Sequence, residues 1–375
     1  MREFALEAYF ARWEFAARHQ LTASDSESLT LPDLVDLADD EDRARWENLE
    51  LGYTDPRGSP WLRRTIAGLY DGLTQDGILC FAGAQEGIHC AMHALLRPGD
   101  HAIVVTPNYQ SAETIPLGLC DVTGVPLDPA RGWTLDIAEI ARAIRPNTRL
   151  VSINFPNNPT GKILERDRFD ALVALCRQHG LWLFSDEVYR LIERDPAYRL
   201  PQAVDAYERG LSLNVMSKAY GLPGLRIGWI ACRDPALLQA MGGVKHYLSI
   251  CNAGPSEVLA NIALKSASRI IGRNRQLANA NLVVLQRFIA EFPESFEWHV
   301  PEGGVTGYVH YKGPEGVEAF AGRLIEEEGV LLLPASVYHS ELGPTPADRF
   351  RIGFGRSGLA AGLDAMRRFL LRNTP

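Results

Sequence analysis

Apolar residues between positions 78 and 232 come in short continuous runs. "ILCFAG" (78–83), "HAIVVT" (101–106), "DVTGVPL" (121–127), "RLVSINF" (149–155), "LWLFSDEV" (181–188), "LSLNVMS" (211–217) and "RIGWIAC" (226–232) are rich in aliphatic, β-branched and aromatic side chains. Runs of this kind predict strands buried on both faces. Between several of them apolar positions recur at helical spacing, as from Gln85 to Leu96 and from Arg166 to His179. Strands alternating with helices predict a mainly parallel sheet covered on both sides. Only a short loop joins the last two runs, so one strand is expected to lie antiparallel within that sheet.

After Asp234 the pattern changes. Long helical patterns occupy roughly 235–291, followed by strand-like "GGVTGYVHY" (303–311), a helix around 315–328, "VLLLPA" (330–335), "RFRIGFG" (349–355) and a last helix from 358. An N-terminal helix over roughly 2–18 carries an aromatic face of Phe4, Tyr9, Phe10, Trp13 and Phe15, expected to pack against the rest of the fold. The predicted class is therefore α/β, with a large domain built on a mainly parallel seven-stranded sheet flanked by helices, plus a smaller α+β domain. The boundaries expected are 45–265 for the large domain, and 1–44 with 266–375 for the small one. A chain of 375 residues is also longer than one core usually holds.

Composition narrows the function classes. Apolar content of 46% and charged content of 22% describe an ordinary globular chain. The net charge of −8 is dispersed and no lysine- or arginine-rich block occurs, which argues against nucleic acid or an anionic membrane as partner. The N-terminus lacks a signal-peptide apolar core, and no apolar run approaches membrane length. Cys80, Cys90, Cys120, Cys176, Cys232 and Cys251 are far apart with no C-x-x-C pair, which reads as reduced core thiols of a cytoplasmic protein, with no metal site.

Several unusual residues fall just beyond predicted strands, where open α/β sheets bind ligands. "FAGAQEG" sets Gly83, Ala84 and Gln85 at a helix start, where backbone N–H groups can meet a phosphate. Alone, a glycine there is ordinarily just turn geometry. "TPNYQS" offers Tyr109 as a flat surface, although a tyrosine packed at a loop edge is the commoner case. "NFPNNPTG" (154–161) fixes the backbone around Asn158 with prolines, and Asn158–Pro159 is a candidate cis bond. "FSDEVY" ends an apolar strand with Asp186 and Glu187; a carboxylate deep in a sheet needs a cation, though a helix-capping aspartate would look the same. In "MSKAYGLPGLRIGW" (216–229) Lys218 sits in apolar surroundings where an unpaired ammonium is costly, with Arg226 eight residues on. Together these residues describe a ligand with a phosphate, a flat ring, a ring nitrogen and an aldehyde-like carbon, which is pyridoxal 5′-phosphate held as a Schiff base.

The order "YTDPRG…GAQE…PNY…NFPNNPTG…SDEVY…SKAYGLPGLRIGW…RIGFGR" resembles the fold-type I pyridoxal-phosphate-dependent class I/II aminotransferase family, of the aspartate aminotransferase superfamily, across nearly the whole chain. The resemblance implies that Lys218 is the Schiff-base lysine and the acid/base. It implies that Asp186 pairs with the pyridinium nitrogen, that Asn158 and Tyr189 bond the phenolic oxygen, and that Tyr109 stacks on the ring. Ala84, Gln85, Ser217 and Arg226 are implied to hold the phosphate, with Tyr53 of "GYTDPRG" reaching it from the other subunit of a homodimer. Arg351 matches the arginine that clamps the substrate carboxylate, with Asn158 also at the substrate; for Arg351 and for Arg356 the plain alternative is a surface ion pair. Two departures stand out. Many relatives carry a phosphate-binding serine three residues before the lysine, where this chain has Val215. The usual glycine-containing segment near the substrate is replaced by residues 19–39, which offer Ser24, Asp25 and Ser26 as pocket-lining groups or as no more than a polar loop.

The function implied is transfer of an amino group from an L-amino acid to a 2-oxo acid. A second outcome on the same cofactor is elimination or cyclisation at the side-chain carbons, as in capreomycidine-synthase-like enzymes. A ligand-sensing transcription regulator is disfavoured because only residues 1–51 precede "GYTDPRG", with an acidic balance, and a dinucleotide-binding oxidoreductase because no G-x-G-x-x-G opens the first strand–helix unit.

Overall fold

The computed structural model describes residues 2–373. Seven strands form the main sheet: β1 (Ile78–Phe81), β2 (His101–Thr106), β3 (Asp121–Pro126), β4 (Thr148–Asn154), β5 (Trp182–Asp186), β6 (Gly210–Val215) and β7 (Gly228–Cys232). Their order is β1-β7-β6-β5-β4-β2-β3, and β7 alone runs antiparallel to both its neighbours. Every residue of β1, β2, β5's last four positions, β6 and β7 is buried, which is why these strands appear in the sequence as unbroken apolar runs rather than alternating ones. Among the helices packed on the sheet, α2 (Ala84–Leu95) follows β1, and α3 (Arg166–His179) connects β4 to β5.

Short strands pair antiparallel into a second sheet in the order Leu333–Pro334, Arg349–Gly353, Thr306–Tyr311, Phe296–Glu297. Its apolar side joins Phe288, Phe296, Phe320, Phe350 and Phe369 in one aromatic cluster. Two sequence expectations, for 330–335 and for the N-terminal helix, are corrected by the structure. The run 330–335 is not one strand, because Val330–Leu331 pairs parallel with His19–Gln20 while Leu333–Pro334 pairs with the Arg349–Gly353 strand. The helical patterns expected over 235–291 are borne out as three helices, Pro235–Lys245, Gly254–Lys265 and Ala267–Glu291. The N-terminal helix, α1, covers only Ala5–Trp13, and Phe15 is 96% exposed rather than part of the packed face.

α1 bridges the two sheets. Tyr9 donates to the Leu332 carbonyl at 2.9 Å, the Ala5 N–H donates to Gln110 Oε1 at 2.9 Å, and Phe4 packs against Tyr109 with ring centroids 5.4 Å apart. Beyond it, residues 21–27 run between the second sheet and the turn after β6. Gly353 N–H donates to Leu21 O at 2.7 Å, Glu27 N–H to Gly355 O at 2.9 Å, and Ser26 N–H to Lys218 O at 3.3 Å. A Cβ on Gly353 would lie 1.9 Å from Ala23 O, so only glycine lets this segment come so close.

Candidate active site

The carboxyl ends of β1, β4, β5 and β6 open into a cavity of about 460 Å³, within the range of small-molecule sites. Its wall includes Ala84, Gln85, Tyr109, Asn158, Asp186, Tyr189, Val215, Ser217, Lys218 and Arg226, so ten residues singled out from sequence meet in one place. Ser24, Asp25 and Arg356 line it too. Ser26 does not; its side chain is fully buried and its hydroxyl has no partner, which corrects the expectation that it faces the pocket. Tyr53 lies outside the cavity and is 92% exposed.

At one end, Gly83 adopts φ +94° and starts α2 with no side-chain cap, leaving the first N–H groups of a twelve-residue helix facing the cavity rim. Arg226, itself at φ +52°, lays its guanidinium over this turn: Nη1 donates to the Ser217 hydroxyl at 3.5 Å and Nη2 to the Ala82 carbonyl at 3.5 Å. A Cβ on Gly83 would fall 2.5 Å from Arg226 Nη2. Backbone donors, a hydroxyl and a guanidinium make an anion cradle. Val215, at the end of β6, lines the cavity with a side chain that has no hydrogen-bonding group.

Asp186 ends β5 inside the cavity. Burial pushes its carboxyl up to about 6, opposed by the Val188 N–H that donates to Oδ1 at 3.2 Å and by the charge of Lys218. It makes no ion pair among the described residues, and a carboxylate this deeply buried is stabilised by a cation. Strand alternation sends Glu187 the other way: its Oε1 accepts from Ala203 N–H at 2.8 Å and from the Ser212 hydroxyl at 3.0 Å, outside this cavity. Lys218 follows β6. Burial, aided by Arg351, lowers its ammonium to about 8, while Asp25 and Asp186 pull the other way. Its Nζ donates to the Ser24 hydroxyl at 2.8 Å, and the Tyr189 hydroxyl donates to the carbonyl of the same Ser24 at 2.7 Å.

Arg351 is fully buried just behind the cavity wall and is not a surface residue. Its Nη1 donates to Asn158 Oδ1 at 3.1 Å and to Tyr338 Oη at 2.7 Å, and Nη2 donates to Thr22 O at 2.6 Å. Asn158 is aimed by Asn154, whose Oδ1 accepts the Asn158 N–H at 2.8 Å, and the Asn158–Pro159 bond is cis. Arg356 is half-buried and bound through two nitrogens to Asp25. Sequence reasoning missed Glu7, Phe10, Glu14 and Gln20, which α1 and its continuation bring to the wall. Glu7, Phe10 and Glu14 recur at spacings of three and four, the one signal that they share a helix face.

A buried carboxylate without a cation, a lysine of depressed pKa, a flanking tyrosine ring and an anion cradle fit pyridoxal 5′-phosphate group for group, and the fold and site define a pyridoxal-phosphate-dependent enzyme of fold type I. The model for "Aminotransferase class I and II" matches residues 20–362, and the chain belongs to that family of pyridoxal-phosphate-dependent transferases. It is 31% identical over 315 residues to arginine–pyruvate transaminase of Pseudomonas aeruginosa, covering 80% of this chain and 77% of that one. It is 32% identical over 293 residues to capreomycidine synthase of Streptomyces vinaceus, covering 76% and 72%. Among solved structures, a PLP-dependent aminotransferase from Streptococcus suis superposes with a TM-score of 0.92 at 29% identity, over 100% of this chain and 99% of the other. The PLP-dependent cyclase OrfR superposes at 0.90 with 28% identity, over 100% and 98%. No helix among the described residues is long and apolar enough to cross a membrane.

Proposed function

We propose that this enzyme transfers the amino group of an L-amino acid to a 2-oxo acid, with the cofactor attached to Lys218. The observation that carries this reading is the single cavity that holds a lysine of depressed pKa beside a buried, unpaired Asp186. When bound, the cofactor supplies an aldehyde carbon that condenses with amines and a ring that takes up the electron pair released at the substrate Cα.

The chain's own groups divide the remaining work. The N–H groups of Ala84 and Gln85, the Ser217 hydroxyl and the Arg226 guanidinium would hold the phosphate. With the cofactor bound, Tyr109 would stack on its ring, Asp186 would accept from the protonated ring nitrogen, and Asn158 and Tyr189 would hydrogen-bond the ring oxygen. Arg351, held by Asn158 and Tyr338, receives the substrate carboxylate and thereby orients Cα–H toward Lys218. Lys218 Nζ, with a pKa near 8, is neutral often enough at physiological pH to take the Cα proton. Tyr53 completes the phosphate site of a second copy in a homodimer; exposed Leu51, Tyr247, Leu248 and Ile250 supply apolar surface near it, tied together by the Thr54 hydroxyl on Asn252 O at 2.8 Å.

Purified protein is expected to be yellow, to lose its colour on borohydride reduction, and to carry the label on the Lys218 peptide. If Lys218→Ala protein can still be reduced onto a lysine, the assignment fails. Similarity to capreomycidine synthase and to a PLP-dependent cyclase favours one second reading, elimination or cyclisation at the substrate side chain. Pyridoxamine phosphate formed on adding an amino acid supports transamination, whereas ammonia release or ring closure without a 2-oxo acid supports the second reading.

A further inference from the structure

Four charged side chains of the cavity wall have no task in that scheme: Glu7, Glu14, Asp25 and Arg356. In the reading above, Arg226 answers the phosphate, Asp186 the ring nitrogen and Arg351 the substrate carboxylate, and Lys218 becomes covalent. Three carboxylates then face one guanidinium. Their hydrogen bonds show which of them are spare. Arg356 Nε and Nη2 donate to the two oxygens of Asp25 at 2.8 and 2.6 Å, and Nη1 donates to Gln20 Oε1 at 3.0 Å, so each of its nitrogens is engaged. Glu7 accepts only the Tyr109 hydroxyl at 3.3 Å, and Glu14 only Gln20 Nε2 at 3.2 Å. Neither makes an ion pair among the described residues. The N-terminal wall therefore presents free acceptors and negative charge, and its one cation is already neutralised.

A second observation points to the ligand these acceptors serve. Arg351 is fully buried, yet its Nε has no hydrogen-bond partner, and it touches the cavity through Asn158. Nη1 and Nη2 are engaged and Nε is not, which leaves Arg351 capacity for the substrate carboxylate that the reading above assigns to it. The ligand is thus anchored at its carboxylate and amine, and what remains to meet Glu7 and Glu14 is the far end of its side chain. Phe10 and Ala23 add apolar surface to the same cavity wall, suited to methylene groups.

We propose that the substrate is an amino acid whose side chain ends in a cation, a guanidinium or an ammonium, bound by Glu7 of α1 and Glu14 just past its end. The proposal rests on the aminotransferase reading of the cavity, but binding of unreactive probes tests it apart from that reading, since acids lacking an α-amine cannot condense with the cofactor. Holoenzyme is titrated calorimetrically with 5-guanidinopentanoate, heptanoate and adipate. The guanidinium acid is expected to bind about tenfold tighter than heptanoate, with adipate weakest, the summed size of two charge interactions at exposed Glu7 and half-buried Glu14. In Glu7→Gln/Glu14→Gln protein that advantage should fall to about threefold or less, the ratio within one preparation being the readout. Heptanoate or adipate binding as tightly as the guanidinium acid to the unaltered protein would overturn the proposal without any variant, and so would an advantage that survives the double substitution.

Discussion

Lys218 Nζ and the Ser24 hydroxyl are hydrogen-bonded at 2.8 Å across 194 residues of sequence. Ser24 also takes the Tyr189 hydroxyl on its carbonyl, so one residue of the N-terminal segment positions two groups of the site, one through its side chain and one through its backbone. A Ser24→Ala change separates the two, because the carbonyl remains. Losing the acceptor leaves the released lysine amine without its hydrogen-bond partner, which is expected to lower kcat about tenfold with little change in KM. Ser24→Thr, which keeps a hydroxyl, should recover most of it. Steady-state kinetics of the three proteins decide the matter, and equal kcat in Ser24→Ala protein would rule out a positioning role.

The Lys218 pKa sets a pH dependence for cofactor-free protein. Its folded value of about 8 lies below the ordinary 10.5, so the unfolded chain binds more protons between those two pH values. Burial of the charged lysine is therefore a full penalty on the fold below pH 8, which shrinks as pH rises and is gone above 10.5. Lys218→Met apoprotein should melt at a higher temperature than unaltered apoprotein at pH 7, and the two should converge toward pH 10.5. The same shift leaves about a tenth of Lys218 neutral at pH 7, so the rate of cofactor attachment should rise with a midpoint near 8. A midpoint near the value of a surface lysine would contradict it.

Arg351 is bound by Asn158, Tyr338 and the Thr22 carbonyl, a setting that fixes the plane of its guanidinium. Arg351→Lys keeps the charge but loses the two-pronged geometry, so KM for the amino acid should rise about 100-fold while the visible band of the bound cofactor stays put. Tyr338→Phe, which removes one of the contacts, should give a smaller rise in the same direction. A KM unaffected by Arg351→Lys would remove Arg351 from carboxylate binding.

The main sheet was legible in the sequence because burial on both faces turns strands into unbroken apolar runs, and Asp186, Lys218 and Asn158 stand at the ends of those runs. The second sheet was less so. Residues 330–335 look like one strand, but the backbone changes pairing partner at Leu332, and hydropathy does not register a change of partner. The distal wall was least legible. Glu7 and Glu14 read as the polar face of a surface helix, and they become cavity groups only because Tyr9 and Ala5 tie that helix across the opening through Leu332 and Gln110. Ser24 reads as loop for the same reason: its partners Lys218 and Tyr189 are distant in sequence, and no local pattern records them.

Gly228 pairs with Phe81 on one side and Val215 on the other, which places it directly beneath the anion cradle. A Cβ there would lie 2.8 Å from Gly83 C and 2.9 Å from Ala84 N, closer than side-chain and backbone atoms approach, and both are backbone atoms that cannot swing aside. Gly228→Ala must therefore push the first turn of α2 outward, at a cost of about 1–3 kcal/mol in stability, and it should weaken cofactor binding about tenfold or more. Val215→Ser works in the opposite sense on the neighbouring strand. It replaces methyl groups at the cradle with a hydroxyl that can bond the phosphate, so cofactor release should slow, although the buried contacts it gives up lower the melting temperature. Both effects are read from loss of the visible band on dilution, alongside thermal melts of the apoproteins. If Gly228→Ala holds the cofactor as tightly as the unaltered chain, the turn at Gly83 and Ala84 is not where the phosphate sits.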